Sequence, residues 1–122
     1  KGSSVIYSLS AGATTADIAK ELSPDKGEPV VTSGPDKFLG TELENILKER
    51  NIKHVIVAGT AAHGAVLYTA SGAALRGMRV IVPVDGISAE SLYPEQYTVW
   101  NLANAPRVSN QVTLTKTDLI KY

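Results

Sequence analysis

The 122-residue sequence contains no cysteine, which excludes disulfides, thiolate zinc sites and thiol nucleophiles. It has no net charge either, twelve basic residues balancing twelve acidic ones. Without a basic run, electrostatics gives no reason to expect nucleic acid or an anionic membrane as partner. Long apolar runs are missing. The longest, such as Val80-Ile-Val-Pro-Val84, fall far short of the roughly 20 residues a bilayer span needs. Lys1-Gly-Ser-Ser leads straight into a β-rich run, without the apolar stretch of a secretory signal. Cytoplasm is therefore the default expectation. What remains is 43% hydrophobic and 20% charged, the composition of one soluble globular domain covering residues 1–122 rather than of a disordered chain.

Strand-like and helix-like segments alternate along the chain. Val5-Ile-Tyr7 lies within a short β-rich run over 3–9, and Thr14 or Thr15 can cap a helix through Leu22. Pro29–Thr32 reads as a second strand. Thr41-Glu-Leu-Glu44 has the spacing of a capping box for a helix with Leu43, Ile46 and Leu47 on one face. Asn51 suits the left-handed stop of that helix. Lys53–Ala58 is nearly continuous apolar sequence, as expected of a strand covered on both faces. A helix from about His63 to Arg76 stops at Gly77, and Arg79–Val84 reads as the next buried strand. Tyr93–Asn104 is helical, entered through Pro94 and closed before Pro106, and Val112–Thr115 is a last strand before a turn at Thr117-Asp118. Such alternation predicts an α/β fold, a three-layer α/β/α sandwich around a mostly parallel sheet with Rossmann-like topology.

The most informative segment is Val55–Ala70. An apolar strand meets Gly59, turns, and enters a helix of small residues. Backbone N–H groups near Gly64 and Ala65 are thereby expected at the carboxyl edge of the sheet, where ligands of α/β proteins bind. Gly59 to Gly64 spaces like a phosphate loop, but no Lys-Ser or Lys-Thr follows, and the middle glycine of a dinucleotide fingerprint is missing. The segment is either a tight strand-to-helix turn or a ligand-binding one.

Gly59-Thr-Ala-Ala-His-Gly-Ala-Val-Leu-Tyr-Thr-Ala70, then Ala74-Leu-Arg-Gly-Met-Arg-Val-Ile-Val-Pro-Val-Asp85, together with Phe38-Leu-Gly-Thr-Glu-Leu43 upstream, resembles the isochorismatase-like hydrolases, also called the cysteine hydrolase superfamily. The resemblance runs from Val5 to about Thr115. It implies a three-layer sandwich and, in many members, amide hydrolysis by an Asp–Lys–Cys triad with the Cys at a helix start. By the same resemblance Ala65 stands at the nucleophile's place, Thr32 at that of the Lys, and the Thr60–Ala61 peptide is cis. The family's first strand, which carries the Asp, has no counterpart, so an N-terminally truncated or divergent domain is expected. A methyl group at Ala65 cannot form an acyl-enzyme. True isochorismatases also lack that Cys, since vinyl-ether cleavage needs proton donation instead of a covalent intermediate.

The remaining candidates each carry two readings. Thr60, Ala61, His63, Gly64 and Ala65 form the expected oxyanion or ligand-binding turn, with His63 either a neutral ligand contact or a capping side chain. Asp36, Lys37 and Phe38 either line a pocket, with Lys37 supplying the charge absent at Thr32, or form a solvated loop anchored by Phe38. Asp85 and Ser88 either contact substrate or cap. His54 reads as a surface residue, and two histidines without a carboxylate cluster make no metal site. Tyr93, Tyr97 and Trp100 share one helical stripe and read as a subunit interface. The expectation is an oligomer that binds a small molecule and needs no metal or organic cofactor. It either hydrolyses a carboxylated or ether-type metabolite non-covalently, or is a catalytically silent member that binds a ligand or assembles.

Overall fold

The computed structural model describes residues 3–122; Lys1 and Gly2 of the leading Lys1-Gly-Ser-Ser segment lie outside the described residues. In chain order the elements are β1 (Tyr7–Ser10), β2 (Val30–Ser33), α1 (Leu43–Glu49), β3 (His54–Ile56), β4 (Gly59–Thr60), α2 (Leu67–Leu75), β5 (Arg79–Pro83), β6 (Ile87–Ser88), α3 (Leu92–Asn104) and β7 (Val112–Thr115). Every strand pair is parallel, as alternating strands and helices demand. β1 pairs with β2, Tyr7 opposite Val30 and Ser10 opposite Ser33. β5 lies between β3 and β7, with Val55 opposite Val80 and Val80 opposite Val112. β4 and β6 form a short third pair. The architecture is the expected three-layer α/β/α sandwich.

β5 is the best-buried strand: Val80 and Val82 have almost no exposed surface, which explains its unbroken apolar sequence. The small residues of α2 pack closely against their surroundings. Ala70, Gly72, Ala73 and Ala74 are all buried, and a Cβ added at Gly72 would lie 3.0 Å from the Phe38 ring. Asn51 and Gly77 stop their helices with φ of 52° and 82°, the left-handed conformation of a C-terminal cap. Leu102 of α3 is fully buried. No helix among the described residues is long and apolar enough to cross a membrane.

Two expectations need correction. Residues 14–22 form two 3-10 turns, Thr15–Asp17 and Lys20–Leu22, instead of one helix. Neither turn buries a residue, and Leu22 stays largely exposed, so no apolar face offsets the cost of helix nucleation. The Thr41–Glu44 capping box also does not form. Thr41 Oγ1 donates to the Lys37 carbonyl and accepts from Leu43 N–H at 3.2 Å, while Glu44 turns outward to Lys48 at 2.8 Å and Arg76 at 3.0 Å. Two cations make a better partner for that carboxylate than one backbone amide. The reciprocal box is found instead at Thr14 and Asp17.

Candidate functional site

Gly59 sits at φ +118°, its N–H donating to the Gly86 carbonyl at 2.9 Å. Only glycine adopts that backbone readily, so the chain leaves the sheet sharply here. The Thr60–Ala61 peptide is cis, and Thr60 Oγ1 donates to the Ser88 carbonyl at 3.2 Å. The helix entry is wider than the sequence suggested: Ala62–Val66 makes a π-helical turn before α2 begins. Within it, Gly64 N–H donates to the Ala61 carbonyl at 3.1 Å and Val66 N–H to the same oxygen at 3.3 Å. Gly64 was expected to offer a free amide; the turn itself consumes it. His63 is exposed, Ala62 fully buried, and Ala65 half-buried.

The Asp36–Phe38 loop packs farther along α2. Lys37 N–H donates to Thr69 Oγ1 at 3.3 Å, and Asp36 Oδ1 accepts from Phe38 N–H at 2.9 Å, so Asp36 shapes its own turn. Phe38 is buried, with the Arg76 guanidinium 4.2 Å from its ring centroid. Lys37 is the unexpected member. It is only 3% exposed, and its Nζ donates to the Leu9 carbonyl at 2.8 Å and the Ser33 carbonyl at 3.1 Å. Among the described residues no carboxylate pairs with it. Burial lowers its pKa below the ordinary 10.5. Leu9 and Ser33 lie at the carboxyl ends of β1 and β2, so this ammonium sits at the sheet edge where ligands bind. Thr32, the place where the family's Lys is expected, is exposed and does not line the cleft beside Lys37.

Lys37 and Phe38 line a cleft of about 660 Å³, together with Ser8, Val31, Ala58 and Thr69 among others. The Gly59–Ala65 turn follows directly from Ala58 at its carboxyl end. Of the expected site residues, Thr60, Ala61, His63, Gly64, Ala65, Asp36, Asp85 and Ser88 do not line it; only Lys37 and Phe38 do. Asp85 is occupied elsewhere. Its two oxygens accept Thr117 N–H at 2.9 Å and Thr117 Oγ1 at 2.8 Å, which hold its pKa low and cap the final turn Thr117–Leu119. His54 lines the cleft from its exposed position at the start of β3. Among the described residues no group of three His, Asp or Glu side chains gathers as metal ligands. Sequence reasoning missed Ser8, Ala58 and Thr69, which lack charge and motif. The burial of Lys37 had one signal, its place next to the only Phe after a Ser-Gly-Pro turn.

The chain is similar to known proteins across most of its length. A family model described as Isochorismatase domain matches residues 7–116. The secreted isochorismatase effector Isc1 of Verticillium dahliae is 40% identical over 77 residues, 62% of this chain and 40% of that protein. The uncharacterized isochorismatase family protein YaaI of Bacillus subtilis is 27% identical over 89 residues, 72% of this chain and 49% of that protein. The chain thus spans less than half the length of either relative. An isochorismatase-like hydrolase from Alkaliphilus metalliredigens superposes with a TM-score of 0.82 at 22% identity, over 94% of this chain and 62% of that one. N-carbamoylsarcosine amidase from Thermoplasma acidophilum gives 0.80 at 24% identity, over 99% of this chain and 76% of that one. These structural likenesses establish the fold. With the family match over residues 7–116, the sheet and the turn after Gly59 make this chain a member of the isochorismatase family.

Proposed function

We propose that the chain carries a hydrolase site of the isochorismatase family that acts on a small carboxylated or ether-type metabolite without a covalent intermediate. One observation carries the reading: a buried Lys37 ammonium, unpaired with any carboxylate among the described residues, at the carboxyl edge of the sheet. A desolvated cation there attracts an anionic ligand far more strongly than it would in water. Lys37 would hold a metabolite carboxylate at the carboxyl end of the cleft. Ala65 offers only a methyl group, so water must be the attacking group. Vinyl-ether cleavage fits that constraint: the terminal carbon takes a proton from solvent, water adds to the oxocarbenium ion and returns a proton to solvent, and the hemiketal opens to a keto acid and an alcohol. The name of the Verticillium relative, an isochorismatase, supports isochorismate as the first substrate to try.

The test is turnover of isochorismate and of a panel of amides by the 122-residue protein and by Lys37→Met. Consumption of isochorismate alone is expected, with the variant slower by about 10²-fold or more. Amide hydrolysis, or an unaffected variant, would contradict the proposal.

Ala65 and Thr32, standing where the family's Cys and Lys are expected, favour a second reading. In it the protein binds the same class of ligand, or serves as an assembly subunit, without turning anything over. Calorimetric binding of isochorismate with no product would establish the ligand-binding form. In either reading we place a homo-oligomer contact on α3, where Tyr93, Tyr97 and Trp100 are exposed. Cytoplasm remains the proposed compartment by default; the Verticillium protein is named as secreted, and cell fractionation decides between the two.

A further inference from the structure

A threonine inside a helix commonly turns its hydroxyl back onto the carbonyl four residues earlier. Thr98 of α3 does so, donating to the Pro94 carbonyl at 2.9 Å. Thr69 of α2 does not. Its Oγ1 reaches out of the helix, accepting the Lys37 N–H at 3.3 Å and donating to the Pro35 carbonyl at 3.4 Å. One half-buried hydroxyl thus holds the backbone on both sides of Asp36, across 32 and 34 residues of sequence.

The other side-chain bonds onto this backbone are local. Ser33 Oγ donates to the Asp36 carbonyl at 2.9 Å, Asp36 Oδ1 accepts from Phe38 N–H, and Thr41 Oγ1 donates to the Lys37 carbonyl. They shape the loop between β2 and α1 without tying it to another element. Phe38 seats the loop by packing beside Gly72 on α2, but apolar contact is non-directional. The hydrogen bonds of Thr69 supply the direction.

Direction matters for a lysine, whose ammonium hangs on a flexible four-carbon stem. At its far end the Lys37 ammonium donates to the carbonyls of Leu9 and Ser33. At its near end Thr69 holds the backbone nitrogen. Lys37 is thereby stretched between α2 and the carboxyl ends of β1 and β2.

We infer that Thr69 is the positioning residue for Lys37: its hydroxyl holds the 35–37 backbone against α2, so that the ammonium stays seated at the sheet edge to receive an anionic metabolite. The metabolite rests on the function proposed above; the seating of the ammonium does not.

The experiment compares four 122-residue proteins: wild type, Thr69→Val, Thr69→Ser and Thr98→Val. Valine keeps the shape of threonine without its hydroxyl, serine keeps the hydroxyl, and Thr98→Val removes a hydroxyl that serves its own helix. In Thr69→Val the Lys37 amide should exchange about tenfold faster than in wild type. The Lys37 amino group, freed toward water, should titrate at higher pH by side-chain nitrogen NMR. The dissociation constant of isochorismate should rise about tenfold. Thr69→Ser should restore all three, and Thr98→Val should leave them as in wild type whatever it does to the unfolding midpoint. An unmoved Lys37 titration in Thr69→Val, serine failing as valine does, or Thr98→Val matching Thr69→Val would each overturn the assignment. If Thr69→Val does not fold, a wild-type Lys37 amide exchanging as fast as an unstructured one overturns it, and a protected amide with an unchanged titration in Thr69→Ser supports it. Exchange and titration need no substrate, so a protein that passes both and ignores isochorismate contradicts the proposed function alone.

Discussion

Lys37 is the side chain on which the proposed site rests. Its burial penalises the ammonium, and two strand-end carbonyls only partly replace the lost water. The sign of its linkage follows. Its folded-state pKa lies below the ordinary 10.5, so between those two values the unfolded chain binds more protons, and stability rises with pH across that window. Asp85 works in the opposite range. Two hydrogen bonds from Thr117 favour its charged form and lower its pKa from 3.8. Its contribution is present above the ordinary carboxylate range and is lost as pH falls through the lower folded value. Denaturant titrations of wild type and Asp85→Asn from neutral pH into acid should therefore converge at low pH, with wild type more stable at neutral pH. Parallel curves would show that Asp85 is not held this way.

At the scale of elements, α2 is where sequence and structure agree most closely. Its position between Gly59 and Gly77 could be read from the residue types, and within it Gly72 lies against the Phe38 ring. Gly72→Val should cost about 1–3 kcal/mol from overpacking, measurable by urea unfolding; an unchanged midpoint would mean that the ring yields freely. β5 and β7 were likewise readable, because apolar or β-branched runs bounded by turn residues determine strands with little competition. The 14–22 region was not. A cap signal alone cannot show that no partner surface lies beneath the helix it would start, and the chain settles for two 3-10 turns. The candidate site followed the same rule. The turn after Gly59 could be read from its residue types, but the consumption of the Gly64 amide by Ala61 depends on a π turn that local patterning does not reveal. The withdrawal of Asp85 to Thr117, 32 residues away, is a tertiary choice of the same kind.

The molecule as a whole consists of parallel strand pairs around a central cleft, with an exposed aromatic stripe on α3. The Tyr93 and Tyr97 rings lie with centroids 6.4 Å apart, tilted by 36°, and Trp100 continues the stripe at 63% exposure. Exposed aromatics at helical spacing are the composition of an interface core. Sedimentation equilibrium should find wild type larger than a monomer and Trp100→Glu shifted toward monomer, with unaltered circular dichroism. Equal mass for both proteins would remove α3 from the contact.

These 122 residues contain no cysteine, and the proposed anion site rests on the cleft and on Lys37. The amino group of that lysine can be titrated directly by side-chain nitrogen NMR, with and without isochorismate. A midpoint below that of an ordinary lysine, moving upward when the carboxylate binds, is the expected result. An ordinary midpoint that isochorismate leaves unmoved would contradict the site described here.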